Sequence, residues 1–153
     1  VRKPRVYVDK SVFGGTADEE FAVASRRLFD RVCRGEFVVL VSQISLDELT
    51  DGPHGVQQIL RDLPHGRLVE VPADQKAMAL AQAYVDAGIL STSRLADAIH
   101  VATATIARAD LMLSWNFRHI VNYDRIHKYN GVNTLKSYPP VEIHSPLEVT
   151  KDD

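Results

Sequence analysis

The 153 residues, 45% hydrophobic and 25% charged, fit one ordinary soluble domain with room for a substantial core. A formal charge of -2 excludes a whole-molecule attraction to nucleic acid, so a polyanionic partner would need a local basic surface and a metal-compensated centre. The lone cysteine, Cys33, excludes an internal disulfide and is expected to pack within an apolar helical pattern. No secretory leader or membrane-length apolar run is legible, and a reducing cytoplasm is the expected compartment.

In chain order, residues 5–8 read as a short strand rich in Val and Tyr that stops at Asp9, ahead of the turn-forming pair Gly14-Gly15. Helical spacing of Phe21, Ala24, Leu28 and Val32 predicts a helix over 18–34, with Asp18, Glu19 and Glu20 at its positive end and Gly35 closing it. The apolar run 37–41 predicts a strand covered on both faces, and Ser42 caps the segment that carries Glu48. Gly52-Pro53 opens a short helix to Leu63, and a small strand follows at 68–71. Residues 74–87 are Ala-rich and helical, closed by Gly88. Thr92 or Ser93 caps a further helix through Ala109, whose stripe is Leu95, Ile99, Ala102 and Ile106 and whose first turns hold Asp97. Residues 111–114 predict a buried strand, followed by Trp115-Asn116-Phe117 and a short helical region through Tyr129. Strands alternating with helices imply an α/β fold with a mainly parallel sheet, its site beyond the strands' C-terminal ends. One domain is expected over 1–140, with 141–153 as a Pro-rich tail that wraps the surface or frays.

Asp9, Glu48 and Asp97, far apart in sequence, all fall by this pattern toward one edge of the sheet. Taken singly, each carboxylate is most simply a cap, a surface ion pair or a solvated group. Together they would repel one another unless a hard divalent cation, Mg²⁺ or Mn²⁺, accepted their oxygens. Such an ion would lower the pKa of a water and neutralise charge developing on a phosphodiester. Asp9 is the most specific of the three, because an acid closing a buried first strand is badly placed for solubility alone. Glu48 has Asp47 and Asp51 beside it as competitors. His100, one turn after Asp97, reads as a satisfied, partly buried histidine rather than a ligand for a hard metal.

Tyr7-Val8-Asp9-Lys10-Ser11-Val12, Ser45-Leu46-Asp47-Glu48-Leu49, the stretch from Leu95-Ala96-Asp97-Ala98 to Thr103-Ala104, and Leu113-Ser114-Trp115-Asn116-Phe117 resemble the four ordered motifs of PIN domains. The resemblance spans nearly the whole chain. It implies a three-layer α/β/α nuclease fold and a ribonuclease similar to the VapC toxins of toxin–antitoxin pairs, with a cognate antitoxin and a homodimer as expected partners. By position, Asp9, Glu48 and Asp97 match the family's acidic metal ligands, and Asn116 stands where many members have a fourth acid. Asn keeps an oxygen but loses a charge, so a second metal should bind more weakly there. Lys10 also departs from the pattern, with three roles open to it: solvent exposure, contact with a phosphate, or pairing with a site carboxylate. Ser11 either orients a ligand or serves as a turn hydroxyl.

Residues 116–136 hold Arg118, Arg125, Lys128 and Lys136 against Asp124 alone, a locally basic stretch suited to single-stranded or structured RNA. Trp115, Phe117, Tyr123 and Tyr129 offer stacking surfaces or core anchors. Two rival functions meet obstacles. An aspartyl-nucleophile phosphatase needs a second Asp where Ser11 stands, and no phosphate-cradling glycine loop is present. A non-catalytic scaffold that binds RNA or a protein would explain Asn116 and Lys10, but gives no reason to keep three clustered acids.

Overall fold

The short apolar runs become five strands in the computed structural model, which describes residues 2–151. These are β1 (Arg5–Val8), β2 (Val38–Ser42), β3 (Leu68–Val71), β4 (Leu111–Leu113) and β5 (Ile143–His144). They form one parallel sheet in the order β3-β2-β1-β4-β5, with Tyr7 opposite Leu40 on one side and Met112 on the other. Side chains alternate across a strand, and this alternation divides the core in two.

Val6, Val8, Val39, Val41 and Leu113 face a layer that includes α1 (Lys10–Gly15), α2 (Ala22–Cys33), α3 (Gln43–Thr50) and α4 (His54–Asp62). Tyr7, Leu40, Met112 and Ile143 face α5 (Gln75–Asp86), α6 (Leu95–Ile106) and α7 (Tyr123–Leu135). The last helix, α8 (Pro146–Thr150), packs on α2. The architecture is the expected three-layer, PIN-like α/β/α arrangement around a parallel sheet. Helices form where apolar spacing supplies a face: Ala77, Leu80, Ala81 and Tyr84 give α5 one buried stripe at i, i+3, i+4 and i+7. Gly88, at φ +78, ends that helix in the left-handed region that side chains avoid.

Several expectations change, among them the helical region expected through Tyr129, which runs instead over Tyr123–Leu135. Residues 10–15 are helical rather than a turn, because Asp9 caps them and Gly15 is needed for close approach: a Cβ there would meet Ser25 Oγ at 2.6 Å and Trp115 Nε1 at 2.8 Å. The helix expected from Asp18 starts at Ala22, since the Asp18 carboxylate accepts the Glu20 N–H in a turn. Cys33 is exposed at the end of α2, one position beyond the buried stripe that finishes at Val32. The segment expected to be a tail supplies β5 and α8, while residues 152 and 153 lie outside the described ones. A two-residue strand offers few ladder bonds, so burial of Val141 and Ile143, roughly 1.5–3 kcal/mol each, holds it in place. Among the described residues, no helix is long and apolar enough to cross a membrane.

Candidate functional site

In this strand order the connection reverses direction between β1 and β4, and in open α/β sheets a crevice forms beyond the strand ends at such a point. Asp9 follows β1 there and Ser114 follows β4. Asp9 is 5% exposed, and as the N-cap of α1 its Oδ1 accepts the Ser11 N–H at 3.1 Å together with the Ser11 hydroxyl. Its Oδ2 accepts the Ser114 hydroxyl at 2.6 Å, which ties the two strand ends together. The two hydroxyls then serve as acceptors, Ser11 Oγ for the Trp115 N–H and Ser114 Oγ for the Asn116 N–H, both at 3.0 Å. A buried carboxylate is thus fixed in one orientation by short hydrogen bonds.

Glu48 stands on α3, whose start is capped by Ser42 accepting from the Ser45 N–H. Its Oε2 is paired with the Lys10 ammonium, both side chains about half exposed. Of the three roles open to Lys10, the structure displays the internal pair. Asp97 lies half-buried in the first turn of α6. His100, one turn after Asp97 on α6, has its Nδ1 2.8 Å from the Tyr7 hydroxyl. Burial above all depresses the His100 pKa, opposed by the negative charges of Asp9, Asp97 and Glu48 and assisted by Lys10. Burial, with Asp9 adding to it, also keeps the Tyr7 phenol protonated. A protonated phenol can donate to or accept from Nδ1, and the tautomer of His100 sets which.

The fold thus sets Asp9, Glu48 and Asp97 toward one edge of the sheet, each within electrostatic reach of His100. Among the described residues, however, no three acidic, histidine or cysteine side chains enclose a point where an ion would sit. The donor chemistry suits a hard divalent cation, being oxygen-only and anionic with one rigid member. Glu48 is held by the Lys10 ammonium, so it could reach an ion only by leaving that pair.

Asn116 adjoins this edge, but its Oδ1 accepts the His119 N–H at 2.9 Å, so the amide oxygen already shapes the loop. The neighbouring aromatics divide. Trp115 is buried, donates to Ser25 Oγ at 2.8 Å and stacks on Phe21; Tyr129 is buried and donates to the His119 carbonyl at 2.7 Å. Phe117 and Tyr123 stay exposed. Of the expected basic residues, Arg118 and Arg125 line one open cleft, whereas Lys128 is exposed on α7 and is not part of that lining. Arg94 joins the two arginines, a residue that sequence reasoning missed although it precedes Asp97 by three positions. Ser114 was missed too; its signal is a hydroxyl directly following a buried strand.

No protein-family model and no curated protein matches the sequence. Among solved structures, the fold is similar to a chain in the crystal structure of VapBC2 from Rickettsia felis bound to a DNA fragment from their promoter. That likeness has a TM-score of 0.55 at 12% identity and covers 92% of this chain and 98% of the other. At that identity what the two chains share is the fold.

Proposed function

We propose that this chain is a metal-dependent endoribonuclease that hydrolyses RNA phosphodiester bonds, acting as the toxin of a toxin–antitoxin pair. The observation that carries the reading is Asp9: a buried carboxylate fixed at the switch point by Ser11 and Ser114, with Asp97 and Glu48 on the same edge. Mg²⁺ or Mn²⁺ held by Asp9, Glu48 and Asp97 would supply an activated water and neutralise charge developing on the phosphodiester. Asp9 presents its oxygens without reorganisation, because two hydroxyls already orient it. Glu48 joins when it leaves Lys10, and the released ammonium becomes a donor for a phosphate oxygen. Asn116, with its oxygen committed to the His119 N–H, contributes its amide N–H groups to orient a water or phosphate, in place of a fourth anionic ligand.

The likeness to a VapBC2 chain supports an antitoxin as protein partner, and the exposed Val23 on α2 gives a homodimer an apolar contact point. A second reading, a scaffold that binds RNA or protein without cutting, is favoured by the Lys10–Glu48 pair, which already neutralises one ligand from within the chain. Incubation of the purified chain with diverse single-stranded RNAs separates them. The nuclease cuts with Mg²⁺ or Mn²⁺ and stops with chelator. Equal cleavage in chelator defeats the metal mechanism, and inactivity despite calorimetric metal binding favours the scaffold.

A further inference from the structure

Beside the acidic edge lies an open cleft of about 400 Å³ lined by Arg94, Arg118 and Arg125, the hydroxyls of Ser91 and Ser93, and His119. Like charges gathered without a counter-ion are unfavourable, so their internal partners decide what the cleft is for. Among the described residues, the side chains of Arg94 and Arg118 have neither an ion pair nor a hydrogen bond. Arg125 donates once, to the Ile89 carbonyl at 3.1 Å, which anchors the side chain while leaving its other N–H groups uncommitted. The Ser91 and Ser93 hydroxyls stand 2.8 Å apart. Both ring nitrogens of His119 are buried without a partner. An arrangement of fork-shaped donors, hydroxyls and an unsatisfied imidazole, with no carboxylate in the lining, matches the oxygens of a phosphate.

Position gives the cleft a role. Asp97 bears electrostatically on both His100 at the acidic edge and His119 in the cleft, so the two share one carboxylate's neighbourhood. The Asn116 amide oxygen holds the His119 N–H, joining the loop after β4 to the cleft wall. We propose that Arg94, Arg118 and Arg125, with Ser91, Ser93 and His119, form a subsite for a backbone phosphodiester of single-stranded RNA, adjacent to the phosphate presented to Asp9, Glu48 and Asp97. This rests on the ribonuclease reading and adds to it a second phosphate contact, which fixes the register of the strand.

The test is binding of a labelled single-stranded RNA to the full chain in chelator, where no cleavage intervenes, measured over a series of salt concentrations. Arg94→Ala/Arg118→Ala is expected to weaken binding at least about tenfold and, for the loss of one phosphate contact, to reduce the slope of log affinity against log salt by about 0.7. Arg118→Lys, which keeps the charge but not the fork, should recover only part of the affinity. Both arginines are exposed and unpartnered, so the variants should keep the wild-type thermal midpoint. Wild-type affinity and slope in the double variant overturn the subsite while leaving the ribonuclease reading intact. If the wild type binds no RNA, inorganic phosphate becomes the probe, followed by the His119 ring signals in NMR. A shift lost in the double variant keeps the anion site and removes its RNA role, and no shift overturns both.

Discussion

At the acidic edge, Asp9 and Glu48 are already answered from within the chain, Asp9 by two hydroxyls and a backbone N–H, Glu48 by Lys10. In the neighbouring cleft, two of three arginines are answered by nothing among the described residues, and the buried ring nitrogens of His119 beside them have no partner. Both regions are charged and both lie within the electrostatic reach of Asp97, yet one holds its groups still and the other leaves its donors unspent. Internal hydrogen bonds give orientation, which a reacting centre needs; unspent donors give affinity, which a binding cleft needs.

Removing the charge that the acidic edge orients should have the largest effect. Asp9→Asn is expected to lower RNA cleavage by more than the ~10–100-fold typical of losing an outer hydrogen-bond partner, with metal affinity falling in parallel. Unchanged cleavage in that variant would take Asp9 out of the reaction. Ser114→Ala tests the orientation alone and should fall within that ~10–100-fold range, because Asp9 keeps its charge and Ser11 but loses the tether to β4. If Ser114→Ala matches wild type at saturating and limiting metal alike, the strand-to-strand tether is structural only.

Lys10→Met asks whether the internal cation competes with the metal. Freed from its partner, Glu48 should bind the ion more tightly, so half-maximal metal concentration should fall several-fold even if the maximal rate drops through loss of a phosphate donor. An unchanged metal requirement would mean that Glu48 does not contribute. Asn116→Asp should act in the same direction by adding a fourth anion, read as activity at low metal.

The smallest expected effect is on the stability of the fold. Burial, the leading cause, lowers the pKa of both His100 and His119 from the ordinary 6.5, and in the cleft Arg94, Arg125 and Arg118 add to it. The unfolded chain therefore takes up protons first as pH falls. The stability contributed by the neutral rings is fully present above about pH 6.5 and is lost as pH drops through the depressed values of the folded state. Urea midpoints between pH 7.5 and 5 should show the decline, and His119→Gln should flatten it. A wild-type midpoint that does not move with pH would mean that neither ring takes up its proton more readily on unfolding.

How far the sequence foretold this depends on the range of the interactions. The strand at Leu68–Val71 was legible to the residue, and so was Asp9 at the end of β1, because apolar runs and the acids that stop them are local signals. Helix α1 was hidden by Gly14-Gly15, a turn signal in isolation. Gly15 is there for the crowding of Ser25 and Trp115, which belong to other elements. The β5 strand is too short to show alternation and follows Pro139-Pro140, so composition alone reads it as tail. The topology sets Asp9, Glu48 and Asp97 toward one edge of the sheet, but among the described residues no three acidic, histidine or cysteine side chains enclose a point where an ion would sit. For Lys10 the sequence left pairing with a site carboxylate as one of three roles, which the fold decides by setting it against Glu48, whereas the grouping of Arg94 with Arg118 and Arg125 shows only once the chain has folded.

The β5 edge sets an order of events during synthesis. The Ser114 N–H donates to the His144 carbonyl at 3.1 Å, and Met112 pairs with Ile143, so the loop that tethers Asp9 is itself braced by a segment that leaves the ribosome only after all of α7. Until that segment emerges, β4 is an open edge and the tether from Ser114 is unbraced. The nascent chain can carry every acidic residue of the site and still lack its finished geometry.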